Sequence, residues 1–256
     1  MADQDPAPTT VTAALIIIGE EILSGRTRDE NIAYVASYLT RVGIMLREIR
    51  VVADIEAEIV AAVNALRPRF TYVFTTGGIG PTHDDVTTDA IAKAFAVEVV
   101  VDPAAVAAMR QRFSDQELTP ARLRMARIPK GAALIDNVLS RAPGFMLENV
   151  IVMAGVPRIM QVMLDAVAPR LAKGRPMLSR SVRVDVPEGD VAEGLADLQL
   201  AHPEVQIGSY PFFENKRLGT YVVLRSIEVE KLAAAENALW IFIRRERFAS
   251  SAADGA

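Results

Sequence analysis

The chain has 256 residues and a formal net charge of −4, and 51% of its residues are hydrophobic. This length is enough for one large domain with a smaller one, and the apolar content is enough for a full core. No basic stripe is present, so nucleic acid is not expected as the main partner. The chain contains no cysteine, which excludes disulfides, thiolate zinc sites and cysteine nucleophiles and fits the reducing cytoplasm that we expect as its location.

The first eleven residues are acidic and contain proline. They lack a cationic segment followed by a long apolar stretch, so residues 1–11 predict a disordered tail and not a signal peptide. The longest apolar runs of the chain are too short to cross a bilayer, and no association with a membrane is expected.

Strand and helix patterns alternate in the first part of the chain. The apolar run Thr12–Gly19 is typical of a buried parallel strand, and Glu20–Gly25 predicts a turn after it. A helix is expected to open at Asp29-Glu30-Asn31, followed by a strand over Met45–Val52 and a helix over Ile55–Leu66. Strands separated by helices of this length predict right-handed crossovers and a largely parallel sheet covered on both faces.

The next strand, Phe70–Thr75, runs into three glycines within four residues, a threonine and two adjacent aspartates, before the helix Thr87–Phe95. Glycines at the carboxyl end of a strand let backbone N–H groups approach an anion, and the following helix adds the positive end of its dipole. A divalent cation would offset the repulsion between Asp84, Asp85 and a bound phosphate. The competing interpretations are a plain strand-to-helix turn and, for the aspartates, helix capping.

The remaining elements before the linker follow less regular patterns. The patterns predict a short strand over Val97–Val101, helices from Asp102 to Phe113 and over Thr119–Arg127, a strand over Ala132–Asp136, a loop over Asn137–Phe145, a hairpin of Phe145–Leu147 with Val150–Ala154, and a helix over Arg158–Leu171. Residues 12–172 are therefore assigned to one α/β domain.

Residues 173–178 are the best linker in the chain, and the pattern changes after them. Alternating strands and amphipathic helices follow in the order βαββα over residues 179–248. This order predicts a small α+β domain with an antiparallel sheet, and no catalytic motif is visible in it. Residues 249–256 are predicted to be a second disordered tail.

Taken together, several motifs resemble the MoaB/Mog-type molybdopterin-binding domain, and most closely the version at the front of the competence/damage-inducible protein A (CinA) group. The similar region covers roughly Ala13 to Leu171. Its motifs are GEEILSG over Gly19–Gly25, the tripeptide Asp29-Glu30-Asn31, Asp54, TTGGIGPTHDDVT over Thr75–Thr87, Asn137, Ala142-Pro143-Gly144 and Gly155-Val156-Pro157.

The resemblance implies a three-layer α/β/α fold that binds a phosphorylated pterin or a related nucleotide and tends to self-associate. Members of the CinA type are associated with metal-dependent pyrophosphatase activity on ADP-ribose-like or FAD-like dinucleotides, with Mg²⁺ or another divalent cation. Two alternatives stay open: a molybdopterin-binding module without chemistry of its own, and adenylate transfer to molybdopterin in molybdenum cofactor biosynthesis.

The resemblance also assigns roles to residues of this sequence. Asp85 and Asp54 match catalytic acids, and Asp84, Asp85 and Glu21 are candidate metal ligands; capping is the competing role for Asp54, and a solvated turn for Glu21. The candidate residues for contacts with the ligand or its phosphate are Gly19, Glu20, Asp29, Asn31, Thr76, Gly77, Gly78, Gly80, Thr82, Asn137, Ser140, Pro143 and Gly144.

Three positions depart from the usual family pattern. Glu20 stands where many members have aspartate, Ser140-Arg141 where they have Gly-Thr, and Ala154 where they have proline. Loss of a glycine restricts the loop, and Arg141 brings a new cation toward the expected phosphate site. These departures leave the expected fold unchanged and leave the identity of the ligand open.

Overall fold

The computed structural model describes residues 10–214 and 217–253 of the chain. The chain divides into two compact units after Gly174, and each is described by itself. Most of the predicted tail, residues 1–9, lies outside the described residues. Val11, which was included in that tail, is buried, and its carbonyl accepts a hydrogen bond from the Met45 N–H at 2.9 Å. The predicted disordered tail is therefore wrong at Val11.

The first unit contains eight strands and seven α-helices within the described residues. The strands are β1 Thr12–Ile18, β2 Met45–Val52, β3 Tyr72–Thr76, β4 Val99–Val101, β5 Arg127–Pro129, β6 Ala133–Ile135, β7 Gly144–Leu147 and β8 Val150–Met153. The helices are α1 Glu20–Leu23, α2 Asn31–Arg41, α3 Glu56–Leu66, α4 Thr87–Ala94, α5 Pro103–Met109, α6 Pro120–Leu123 and α7 Pro157–Val167, with 3₁₀ turns at Arg124–Ala126 and Ala168–Arg170.

Six of these strands form one sheet in the order β2-β1-β3-β8-β7-β6. The pairs β1–β2, β1–β3 and β3–β8 are parallel, whereas β7 is antiparallel to both of its neighbours. Strands β4 and β5 form a separate two-stranded ribbon. The predicted mostly parallel sheet is confirmed, with an antiparallel edge that comes from the predicted hairpin.

Strand β1 lies between β2 and β3 and faces two cores. Ala14, Ile16 and Ile18 belong to the apolar core that includes buried residues of α3 and α4. Leu15 and Ile17 belong to the core that includes buried residues of α2 and α7. Helices therefore cover both faces of the sheet, which confirms the three-layer α/β/α fold and explains why the strand has no polar face in sequence.

Two local predictions differ from the structure. The segment after β1 was predicted as a turn, but it forms the one-turn helix α1. The segment Thr119–Arg127 was predicted as one helix, but it forms α6, a 3₁₀ turn and the start of β5. Strand β5 has three residues and pairs with the equally short β4. So short a strand contains too few residues to show an alternating pattern, and its pairing is set by tertiary contact.

The second unit has the predicted order with one strand added. Its elements are β9 Leu178–Val184, α8 Glu188–Ala201, β10 Gln206–Glu214, β11 Arg217–Ser226, α9 Val229–Arg245 and β12 Ser250–Ala253. The antiparallel sheet has the order β10-β11-β9-β12, and its apolar residues pack with those of α8 and α9 in one core. The predicted small α+β domain is confirmed.

The prediction of a disordered tail over residues 249–256 is wrong for Ser250–Ala253. This segment pairs with β9 in antiparallel register as an edge strand. The sequence SSAA has no strong strand preference, so backbone hydrogen bonding to β9 decides its conformation. Residues 254–256 lie outside the described residues. Across the part of the chain that the structure describes, no helix is both long and apolar enough to cross a membrane.

Removal of side-chain volume at Leu15 tests whether β1 is buried between two helical layers. Leu15 is completely buried, whereas Ile49, its register partner on β2, is 40% exposed. We expect Leu15→Ala to lower the free energy of unfolding by about 2–5 kcal/mol through lost burial and a cavity. The matched variant Ile49→Ala is expected to cost less than about 1 kcal/mol. Urea unfolding followed by circular dichroism measures both, and similar losses would contradict the proposed architecture.

Candidate functional site

A pocket of about 570 Å³ lies at the carboxyl ends of the parallel strands in the first unit. Its lining includes Ile18 at the end of β1, Asp54 after β2, Gly77 after β3 and Ala154 after β8. In open α/β sheets this edge is the usual place for a ligand, because loops from several strands converge there. The volume is sufficient for a small organic ligand.

The loop after β3 requires glycine at two positions. Gly77 has φ +108°, and a Cβ on it would lie 2.1 Å from the backbone oxygen of Ile18. Gly78 has φ +67°, and a Cβ there would lie 2.1 Å from Oγ1 of Thr87. The Thr87 hydroxyl donates to the Gly77 carbonyl at 3.0 Å, and the backbone N–H of Thr87 donates to the Gly78 carbonyl at 3.0 Å. This buried threonine, which was not predicted as a site residue, fixes the loop to the start of α4.

The glycine N–H groups differ in their availability to a ligand. The Gly77 N–H donates to the Met153 carbonyl at 3.1 Å, and the Gly80 N–H donates to the Asp85 carboxylate at 2.6 Å. The N–H groups of Gly78 and Ile79 donate to no acceptor among the described residues. The predicted contact between phosphate and backbone is therefore available in this structure at Gly78 and Ile79, and not at Gly77 or Gly80.

Asp85 closes the loop in which it lies. One carboxylate oxygen accepts the Gly80 N–H, and the other accepts the N–H and the hydroxyl of Thr82 at 2.8 and 2.5 Å. No side chain caps α4, so the capping interpretation of the paired aspartates is wrong. Asp85 therefore both lines the pocket and holds the loop. The hydroxyl of Thr82, which was predicted to contact a phosphate, donates to this carboxylate instead.

Asp54 is held at the pocket by the neighbouring loop. Its Oδ2 atom accepts the Glu20 N–H at 2.9 Å, and no side chain caps α3, so the capping alternative is wrong here too. Its Oδ1 atom lies beside the Cα of Gly78, 3.5 Å from the place that a Cβ would occupy. Burial raises the pKa of Asp54, and the charges of Glu21, Asp84 and Asp85 raise it further. Such a perturbed acid in a pocket is typical of functional sites.

Four carboxylates, those of Glu21, Asp54, Asp84 and Asp85, thus line this pocket, and we call them the acidic wall. Within the described ranges, no three or more histidine, aspartate or glutamate side chains are arranged as a ready metal site. A Mg²⁺ ion is usually held by one or two carboxylates together with water and substrate phosphate, and carboxylate oxygens are suitable donors for it. The acidic wall fits that mode and not an all-protein cage.

A second part of the pocket lining is formed by the loop around Asn137. Its buried amide donates to Ser140 Oγ at 2.5 Å and to the Ala142 carbonyl at 2.9 Å, and its oxygen accepts two backbone N–H groups of the same loop. Asn137, Ser140 and Pro143 line the pocket as predicted. Gly144 is buried in β7 behind them. Arg141 has φ +63°, and its guanidinium lies 3.9 Å from Asp136.

Several predicted ligand residues act elsewhere in the structure. Thr76 is buried within β3, and its Oγ1 atom has no hydrogen-bond partner among the described residues. Asp29 accepts the Ile32 N–H at 2.7 Å at the start of α2. The buried Asn31 donates to the Gly155 carbonyl at 2.8 Å and so supports a pocket residue from behind. None of these three side chains lines the pocket among the described residues.

Gly19 and Glu20 also lie outside the pocket lining, but each acts on a residue within it. The Glu20 side chain is exposed, and only its backbone N–H is used, as the donor to Asp54. Gly19 is buried at the end of β1, next to the Glu21 carboxylate. In the structure, both residues therefore contact members of the acidic wall.

An apolar part of the lining was not predicted from the sequence. Its larger side chains are Ile18, Ile79, Met125, Val156, Ile159 and Met163. Met125 comes from the 3₁₀ turn before β5, a segment without any local signal of function. Ile79 belongs to the TTGGIGPTHDDVT motif and Val156 to the Gly155-Val156-Pro157 motif, so these two motifs were the available indications of this part of the pocket.

The fold and the site together define a three-layer α/β domain with a ligand-sized pocket at the carboxyl edge of its sheet. More specifically, the chain belongs to the family described as "probable molybdopterin binding domain", whose model matches residues 14–173. Residues 176–250 match the model of the FAD synthase middle domain. The resemblance that was predicted from the sequence is confirmed.

Individual relatives agree with this assignment. A protein of Pyrobaculum calidifontis is 36% identical over 78% of this chain and 80% of its own length. A probable FAD synthase of Caenorhabditis elegans is 31% identical over 91% of this chain, but the match spans only 50% of that longer relative. The crystal structure of the protein CinA from Thermoplasma acidophilum has a TM-score of 0.59 and 35% identity, covering 62% of this chain and 96% of that chain.

The pKa of Asp54 leads to a prediction about stability. Because the folded-state pKa is raised, the ionised carboxylate destabilises the fold at neutral pH, and this penalty vanishes below about pH 3.9, where the group is protonated in both states. Asp54→Asn keeps an oxygen for the Glu20 N–H. We therefore expect a higher urea midpoint than wild type at pH 7, with the difference shrinking toward pH 3. Asp136→Asn, at an exposed carboxylate of the same unit, is the control. Equal midpoints at pH 7 for Asp54→Asn and wild type would contradict the prediction.

Proposed function

We propose that this chain is a metal-dependent pyrophosphatase that hydrolyses dinucleotides of the ADP-ribose or FAD type in the pocket of its first unit. The observation that carries the proposal is the acidic wall beside the N–H groups of Gly78 and Ile79, which have no acceptor among the described residues. A pyrophosphate bound with a divalent cation satisfies both features. The N–H groups donate to phosphate oxygens, and the cation offsets the clustered negative charge.

Asp54 is the residue that we propose as general base. A hydrogen bond from the Glu20 N–H holds one of its oxygens, and burial together with neighbouring charges raises its pKa above the ordinary value of an aspartate, which makes the carboxylate a stronger base. Asp54 takes a proton from water as the water oxygen attacks one phosphorus atom. The bridging P–O bond breaks, and two phosphate monoesters leave.

Glu21, Asp84 and Asp85 are the candidates from which we propose that the cation, Mg²⁺ or a related ion, would take one or two carboxylate ligands, with water and substrate phosphate as the others. When bound, this ion would supply positive charge to the phosphate oxygens. Asp85 has a further role in the proposal, because its hydrogen bonds to Gly80 and Thr82 shape the loop that presents the Gly78 N–H. The apolar part of the pocket supports a ligand with a flat ring system, such as a flavin, pterin or adenine ring.

A second candidate function is binding of molybdopterin or a nucleotide without chemistry. It is favoured by one observation, that no three acidic or histidine ligands are arranged as a ready metal site in the described part of the chain. The family match fits a pterin ligand, and the similarity of residues 176–250 to an FAD synthase middle domain supports testing FAD.

One panel of reactions separates these functions. The purified chain is incubated with Mg²⁺ or Co²⁺ and with ADP-ribose, FAD, or ATP plus molybdopterin, and the products are separated by chromatography. Pyrophosphatase activity gives AMP with ribose 5-phosphate or with FMN. Saturable binding without any product supports the binding module, and adenylylated pterin supports adenylate transfer.

The role of Asp54 predicts a defined kinetic effect. We expect Asp54→Asn to lower kcat for ADP-ribose by about 10²–10⁴-fold, because a general base contributes an acceleration of that size. Asp197→Asn, at an exposed position of α8, is expected to retain wild-type turnover. Asp85→Asn is also expected to lose turnover, but asparagine cannot accept on both sides of the loop, so Asp54 is the sharper test. Unchanged turnover in Asp54→Asn would exclude it as the base.

A further inference from the structure

Glu21 reaches the acidic wall through a gap left by a glycine. An ideal Cβ on Gly19 would lie 2.8 Å from each carboxylate oxygen of Glu21, which is closer than real contacts allow. The Glu21 carboxylate thus folds back over the Cα of Gly19 at the end of β1. A residue with any side chain at position 19 would occupy the space that this carboxylate now fills.

The backbone at Gly19 does not itself need glycine. Its φ of 166° is extended, and its N–H donates to the Val52 carbonyl at 3.1 Å, as in a continuing parallel pair. Gly77 and Gly78 differ from it, because both have positive φ and would bring a Cβ against Ile18 or Thr87. The requirement for glycine at position 19 therefore comes from the Glu21 side chain and not from the chain path.

The position that this gap gives to Glu21 matters for the site. The residue before Glu21, Glu20, donates its N–H to Asp54. The carboxylates of Glu21 and Asp54 are therefore both fixed by the short segment Gly19–Glu21. The glutamate side chain has three rotatable torsions. If a side chain on residue 19 filled the gap, the Glu21 carboxylate would have to adopt another rotamer.

We propose that Gly19 is a positioning residue whose missing side chain keeps the Glu21 carboxylate on the acidic wall, where Glu21 contributes to binding of a divalent cation. The inference rests on the proposed function, because the divalent cation that Glu21 helps to bind is the cation of that proposed reaction. It assigns to Gly19 a role toward a carboxylate, in place of the predicted contact with phosphate.

Mn²⁺ binding, measured by titration calorimetry on the full chain, tests the proposal without relying on turnover. Gly19→Ala is expected to fold with an unfolding midpoint no lower than that of wild type, because only the end of a flexible side chain has to move. Its Mn²⁺ affinity is expected to fall about tenfold, as for loss of a residue that orients a metal ligand. Glu21→Gln should lose a similar factor.

The double variant decides whether Gly19 acts through Glu21. If it does, Gly19→Ala in the Glu21→Gln background causes no further loss of Mn²⁺ affinity. Gly189→Ala on α8, where a Cβ meets nothing within 4 Å, is the matched control and should bind as wild type does.

The remaining outcomes overturn the proposal in distinguishable ways. Wild-type affinity in Gly19→Ala, additive losses in the double variant, or failure of Gly19→Ala to fold would each overturn the positioning role while leaving the proposed function in place. Absence of Mn²⁺ binding by the wild-type chain would instead remove the cation from the proposed function, and the role of Gly19 with it.

Discussion

The close passage of Gly77 against the backbone oxygen of Ile18 is the constraint on which the pocket depends. It lets the chain leave β3 beside the end of β1, where no residue with a Cβ would fit. The loop is then fixed by Thr87 on one side and by the carboxylate of Asp85 on the other. The position of the Gly78 N–H follows from this close approach together with these hydrogen bonds.

The glycines around the pocket make room for carboxylates as much as for a ligand. Glu21 lies against Gly19, Asp54 beside Gly78, and Asp85 against Gly80. Three acidic side chains are thereby held close to the backbone and close to one another. Burial, and after it the neighbouring negative charges, raise the pKa of Asp54 and so reduce stability at neutral pH. Such a cost is characteristic of sites where function and not folding selects the residues.

The pocket lining has two chemically different parts, an acidic wall and a group of apolar side chains. In the function that we propose, the acidic wall and its adjacent backbone donors bind a phosphate group together with a cation, and the apolar residues of the lining bind a ring system. Both parts of the lining lie within residues 14–173, which match the family described as "probable molybdopterin binding domain". The architecture of the first unit brings the parts together, because loops from β1, β2, β3 and β8 meet at one edge.

The sequence by itself determined the layered fold and the location of the site. The uninterrupted apolar run of β1 required burial on both faces, and the glycine loop after β3 required a turn at the carboxyl edge. Tertiary structure alone decided which side chains reach the pocket. Met125 arrives from a distant segment, Asn31 bonds to Gly155, and Ser250–Ala253 is a strand only because β9 is beside it. Local patterns follow from backbone periodicity, whereas these contacts depend on packing between residues far apart in the chain.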